Sequence, residues 1–226
     1  MSKNLGKVAF VEWGNYKNIW VIDSTGSNKT QLTNDDFDNA WPCFSPDGTK
    51  ILYTSYTAGT PQLWTMNVDG SSKTQLTNFP EGAFQGRYSP NGQKIVYTTG
   101  STGDDVYIMN ANGTGSAALA ASATDDENDP CFTADSTKVV FVKSFDNAGN
   151  PAGQIMIVNA SGGTATRLTT DLQDDREPVV SQDGAWILFT RPFSVGRDVF
   201  KMALNGSGQT RVTNEAALAV SPSTGN

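Results

Sequence analysis

Carboxylates gather at recurring places along this chain. Asp35, Asp36 and Asp38 lie close together, followed by Glu81 and by "DDEND" from Asp125 to Asp129. Asp171, Asp174, Asp175 and Glu177 form a further group, and Glu215 a last one. These segments hold thirteen of the 23 acidic residues. Converging carboxylates attract cations through their summed field. Ca²⁺ is the favoured ion, because it takes several oxygen ligands with loose geometry. Asp38, Asp126 and Asp174 fall at one repeated position and are the candidate ligands, although "DDEND" has the spacing of no known calcium loop. Two carboxylates could equally serve a carbohydrate-active enzyme, a glycosidase or lyase. Nothing in the spacing selects a pair. A structural role competes with both, since Asp near a strand start commonly caps backbone N–H groups. The chain contains no histidine, which excludes His-based triads and His metal sites. It has no Gly-x-Ser-x-Gly elbow and no phosphate loop. The balance favours binding over catalysis.

The elements that must position these groups repeat five times. An apolar strand, a Gly-containing turn and a Thr-rich strand recur in "IWVIDSTGSNKTQLT" from Ile19 and "LWTMNVDGSSKTQLT" from Leu63. They recur again in "VYIMNANGTGSAALA" from Val106, "IMIVNASGGTATRLT" from Ile155 and "VFKMALNGSGQTRVT" from Val199. A strand-rich period of roughly 40–50 residues is the signature of a propeller, one four-stranded blade per repeat. A second column of turns reads "SPDG" at Ser45–Gly48, "SPNG" at Ser89–Gly92, "TADS" at Thr133–Ser136 and "SQDG" at Ser181–Gly184. Pro presets the first corner and Gly takes the positive-φ position. Ser136 in that glycine position costs about 1 kcal/mol. Each turn leads into a β-branched strand such as "KILYTS" from Lys50. Pro42, Pro130 and Pro178 precede the turns and mark an edge strand, because Pro cannot donate to a ladder.

These columns predict an all-β, five-bladed β-propeller with four antiparallel strands per blade, forming a single domain over 1–226. Blade 2 covers 34–77, blade 3 covers 78–120, blade 4 covers 121–169 and blade 5 covers 170–213. Blade 1 joins 1–33 to 214–226, so both termini share one blade, with Ala217–Ser221 expected beside Lys7–Glu12. Closure of this kind removes open sheet edges. The segment Leu32–Gly70, with its Leu-Thr, Asp, Pro-x-Phe-Ser-Pro-Asp-Gly, "KILYTS" and "LWTMNVDG" in that order, resembles the TolB-like propeller repeat, and the resemblance runs through the whole chain. It implies the fold and favours a periplasmic or extracellular setting. The family's namesake has six blades behind an N-terminal domain. Its docking of a periplasmic lipoprotein therefore does not carry over residue by residue.

In a propeller, the connectors between blades and the loops between second and third strands share one face. Here those segments are irregular while the opposite turns are monotonous, so binding is expected on the irregular face. Its second-to-third-strand loops carry Trp13, Tyr16, Tyr56, Phe145, Phe193, Arg191 and Arg197. Trp41, Phe84, Arg176 and Glu177 are expected near the mouth of the axial channel. Aromatic rings with polar neighbours suit a protein segment or a small polar or carbohydrate ligand. Partial burial between blades is the competing role for each ring. Net charge is −7 and basic runs are absent, which argues against nucleic acid and anionic membranes. No stretch approaches the roughly 20 apolar residues of a membrane helix. "MSKNLGKVAF" has no apolar core of signal-peptide length. The expected form is a monomeric binding module or a structural module of a larger secreted protein. No cofactor is implied beyond Ca²⁺. Cys43 and Cys131 share a repeat position two blades apart, so they are expected to be reduced and buried.

Overall fold

The computed structural model describes residues 6–57, 59–100, 103–122, 124–145, 152–171, 173–193 and 196–213. Blade 1 contains β1 (Lys7–Trp13), β2 (Lys17–Asp23) and β3 (Thr30–Gln31). Blade 2 contains β4 (Asn39–Phe44), β5 (Lys50–Ser55), β6 (Gln62–Asn67) and β7 (Thr74–Gln75). Blade 3 contains β8 (Phe84–Tyr88), β9 (Lys94–Thr99), β10 (Asp105–Asn110) and β11 (Ala117–Ala120). Blade 4 contains β12 (Asp126–Phe132), β13 (Lys138–Phe145), β14 (Ala152–Asn159) and β15 (Thr166–Arg167). Blade 5 contains β16 (Arg176–Val180), β17 (Trp186–Phe193), β18 (Gly196–Ala203) and β19 (Thr210–Arg211). Every sheet is an antiparallel meander in chain order, and together they form the five-bladed propeller. The expected closing strand, 217–221, lies outside the described residues, so blade 1 is described with three strands.

The apolar residues pack between blades rather than within them. Ile19, Val21 and Leu32 of blade 1 meet Ile51, Tyr53 and Met66 of blade 2. Leu52 and Leu63 meet Ile95, Tyr97 and Met109 across the next seam. Val96, Val106 and Leu119 then meet Val139, Phe141 and Met156. Val140, Ile155 and Leu168 meet Ile187, Phe189 and Met202. A strand facing a neighbour on both sides must be apolar on both sides, which is why β5 and β9 read as continuous buried runs.

Small polar devices recur inside this frame. The hydroxyls of Thr33, Thr77, Thr169 and Thr213 accept from the backbone N–H of Ile19, Leu63, Ile155 and Val199 at 2.8–3.0 Å. Each hydroxyl then donates to Asn18, Gln62, Gln154 or Asp198. Blade 3 has Ala120 at this position, and its Asp105 accepts from the Ser122 N–H instead. Ser136 does adopt the positive-φ conformation of the glycine column, at φ 62°. Cys43 and Cys131 are free but only half-buried, less enclosed than expected. Burial still pushes the Cys131 thiol up to about 12.

Candidate functional site

The first strands β4, β8, β12 and β16 are sheet edges that pack on one another around the axis. Each carries a bulge near its start, between Ala40 and Cys43, Phe84 and Arg87, Asn128 and Cys131, and Arg176 and Val179. The bulged residues Trp41, Gln85, Asp129 and Glu177 all have positive φ, between 50° and 56°. A left-handed non-glycine residue costs roughly 1–2 kcal/mol. Pro42, Pro130 and Pro178 follow three of them, so the residue after the bulge has no N–H to leave unpaired there. At the fourth, a side chain on Gly86 would come within 2.8 Å of Leu52 Cδ2.

This ring is chemically divided. On one side the Trp41 ring tilts against Phe84, with centroids 6.1 Å apart. On the other, Gln85 Nε2 donates to Asp129 Oδ1 at 2.9 Å, and the Glu177 backbone N–H donates to the same carboxylate. Burial and then the facing charge of Glu177 raise the Asp129 carboxyl above its ordinary range. Gln85 and Asp129 were not among the sequence-derived ligand residues. Their signal was the residue preceding the recurring Pro/Gly of the inner strand.

Around the ring, three connectors are stapled by backbone bonds to the loop of the preceding blade. The N–H of Ala83, Glu127 and Asp175 donates to the carbonyl of Pro61, Asp104 and Gly153, respectively. Asp126 and Asp174 reinforce two of these staples, and Asp38 makes the link at the seam between blades 1 and 2. Asp38 accepts from the Lys17 N–H at 2.9 Å, Asp126 from that of Asp104 at 3.3 Å and Asp174 from that of Gly153 at 2.8 Å. The three lie in different seams, and among the described residues no group of three acidic or thiol side chains converges on a metal position. Asp38, Asp126 and Asp174 therefore do not fit a shared Ca²⁺ site.

The arginines hold the scaffold. Arg191 grips Asp175 with two hydrogen bonds, of 2.7 and 2.8 Å, and also pairs with Asp171. Arg197 reaches the Asp174 carboxylate and carbonyl and the Thr190 carbonyl. Arg176 bonds Asp174 and Ser144. Tyr56 is half-buried, and its N–H donates to the Asp38 carbonyl. The outward aromatics are Trp13, 77% exposed beneath Lys17 Nζ at 4.4 Å, Tyr16, Trp41 at 36% and Phe193. Asp104, next to the Asp129 side of the mouth, is raised to about 6 by burial and then by Asp126, Asp105 and Asp129.

Fold and site define a β-propeller whose axial mouth is half aromatic and half acidic. Residues 5–150 match the TolB beta propeller domain, and the chain belongs to that family. A TolB homologue from Chlorobium luteolum is 31% identical over 149 residues, which are 66% of this chain and 33% of that one. The chain thus spans about a third of that relative's length. TolB from Acinetobacter baumannii superposes with a TM-score of 0.77 at 19% identity, over 92% of this chain and 53% of that one. An oligogalacturonate lyase from Vibrio parahaemolyticus superposes at 0.68 with 12% identity, over 92% of this chain and 62% of that one. At these identities the structural likeness extends to the fold.

Proposed function

We propose that this propeller is a non-catalytic binding module that seats a protein segment at the mouth of its channel. The observation that carries this reading is the strained ring of Trp41, Gln85, Asp129 and Glu177. Backbone strain in the same place on four blades persists where surroundings over-determine it, and such places cluster at binding sites. The chemistry of the ring suits a basic segment carrying an apolar side chain. Trp41 and Phe84 offer a face to the apolar group or to a guanidinium. Asp129 and Glu177 offer carboxylates to the cation. The net charge of −7 steers such a partner toward the protein. Membership of the TolB propeller family agrees with protein binding.

The test is selection from a random displayed 12-residue peptide library. Enriched peptides should pair Lys or Arg with an apolar residue, and their affinity should fall at least tenfold for W41A and for E177Q. Peptides that bind both variants as well as the original protein would sink this reading. A second reading rests on the same carboxylates. Asp129, with its raised carboxyl, and the facing Glu177 are the pair through which this face would act on a sugar polymer. Release of reducing or unsaturated ends from a polysaccharide panel, lost in D129N, would favour it over pure binding.

A further inference from the structure

The four seams between described blades are built alike, with one exception. A side chain placed on the turn glycine would meet the Leu carbonyl of the preceding blade at Gly70–Leu32, Gly113–Leu76 and Gly206–Leu168, at 2.7–3.2 Å. At the seam between blades 3 and 4, Gly162 has nothing within 4 Å. The threonine that elsewhere tethers the outer strand is Ala120 here. The seam opens into a pocket of about 310 Å³, near the lower end of the size of small-molecule sites. Leu119, Phe141 and Met156 supply apolar walls, and Glu127 and Lys143 supply the polar end.

The polar end is incompletely paired. Glu127 is 1% exposed, and its Oε1 accepts from Lys143 Nζ at 2.5 Å. Its Oε2 is buried and has no hydrogen-bond partner. Lys143 also serves Asp125, at 3.1 Å, and Asp105 acts on Glu127 from close by. Lys143 is therefore shared between two carboxylates. A buried carboxylate oxygen left unpaired is costly, and a charged donor is the partner that relieves it most.

We propose that this pocket is a binding site for a small amphipathic amine, whose entry turns the Glu127 carboxylate toward it so that the ammonium donates to Oε2, with its hydrocarbon body lying against Leu119, Phe141 and Met156. The site is on the outer seam and is independent of the reading given for the channel mouth. Gly163 and Ala165 also line it, and neither carries a side chain larger than a methyl group.

Benzylamine, protonated at neutral pH, is the probe, and benzyl alcohol its uncharged counterpart. The five methionines provide the readout through ¹³C-methyl labelling. Met156 lines the pocket, while Met66, Met109 and Met202 are buried in other seams. Benzylamine should shift the Met156 methyl saturably with a Kd on the order of 1 mM, and leave those three in place. E127Q should weaken binding at least tenfold, and benzyl alcohol should bind at least tenfold more weakly. In A165L, which puts a larger side chain into the pocket lining and leaves Glu127 and Lys143 unchanged, the Met156 response should disappear even if E127Q does not fold. A Met156 resonance that stays put at tens of millimolar benzylamine overturns the site. Equal binding of the alcohol, or an unchanged affinity in folded E127Q, overturns the assignment to a cation.

Discussion

Two adjacent seams solve the same problem with different residues. At the start of blade 5, Asp175 is fully buried opposite Arg191, and at the start of blade 4, Glu127 is buried opposite Lys143. The guanidinium matches both oxygens of Asp175 at once, and its Cζ lies 5.2 and 5.1 Å from the Phe189 and Phe200 centroids. The Thr169 hydroxyl, which is also within reach of Gln154, favours the charged form of the same carboxylate. The ammonium of Lys143 is a point charge that satisfies one oxygen of Glu127 and is shared with Asp125. The seam with the fork is tight, a side chain on Gly206 there meeting the Leu168 carbonyl at 2.7 Å, and the seam with the point charge contains a pocket. A planar donor and a nearby hydroxyl can complete a buried carboxylate, whereas a lysine leaves it half-made.

The largest expected effect comes from breaking the tight seam. R191M strands Asp175 in the core and should lower stability by about 3–5 kcal/mol, measured by urea unfolding. A loss below about 1 kcal/mol would show that Asp175 is not committed to its charge. K143M should cost less, about 1–3 kcal/mol, because Asp125 is nearer solvent and Glu127 can take up a proton. Burial already raises the Glu127 carboxyl and Lys143 only partly offsets this. A carboxyl raised in the folded state contributes stability that is present at low pH and lost as pH rises through its folded value. The K143M deficit should therefore shrink between pH 7 and pH 5, and a constant deficit would contradict the assignment.

The comparison sharpens at the staple carbonyls, where blade 3 has Asp104 and blade 4 has Gly153. With Asp104 raised to about 6, its contribution is lost as pH climbs from roughly 4 through about 6. D104N should accordingly gain about 1–2 kcal/mol at pH 7 and nothing at pH 4, read from paired urea melts. A gain that persists at pH 4 would point to packing rather than charge. The smallest effect is expected from A120T, which restores the missing hydroxyl beside Asp105. It should stabilise by about 0.5–1 kcal/mol in thermal melts, and a destabilised variant would show that β11 cannot adopt the geometry of the other outer strands.

The blade count, the inner edge strands marked by Pro42, Pro130 and Pro178, and the forced φ of Ser136 were legible in the sequence. Each follows from local chemistry repeated in register. Trp41, Phe84 and Glu177 lie on the inner strands β4, β8 and β16, and proline marks two of those strands in the sequence while β8 has Gly86 in its place. The roles of Arg176, Arg191 and Arg197 were not legible. Their partners Asp174 and Asp175 lie in the connector before β16 and Ser144 on β13 of the preceding blade, and exposure of a long cation cannot be read from loop irregularity. The repeated aspartates looked like a converging ring. They are instead distributed one per seam as caps on Lys17, Asp104 and Gly153.

The staples between connector and preceding loop also bear on where the chain can be cut. The turns between third and fourth strands close on themselves, as in the Gly70 N–H to Asn67 carbonyl bond and the Asn67 N–H to Ser71 carbonyl bond. New termini opened there by circular permutation would leave every bond between blades intact. New termini in a connector such as 79–83 would instead break the bond from Ala83 to Pro61 and release one blade from its neighbour. The repeat as written in the amino acids and the unit that breaks away under stress therefore have different borders. The unit straddles two blades, and slow hydrogen exchange should extend across the connectors.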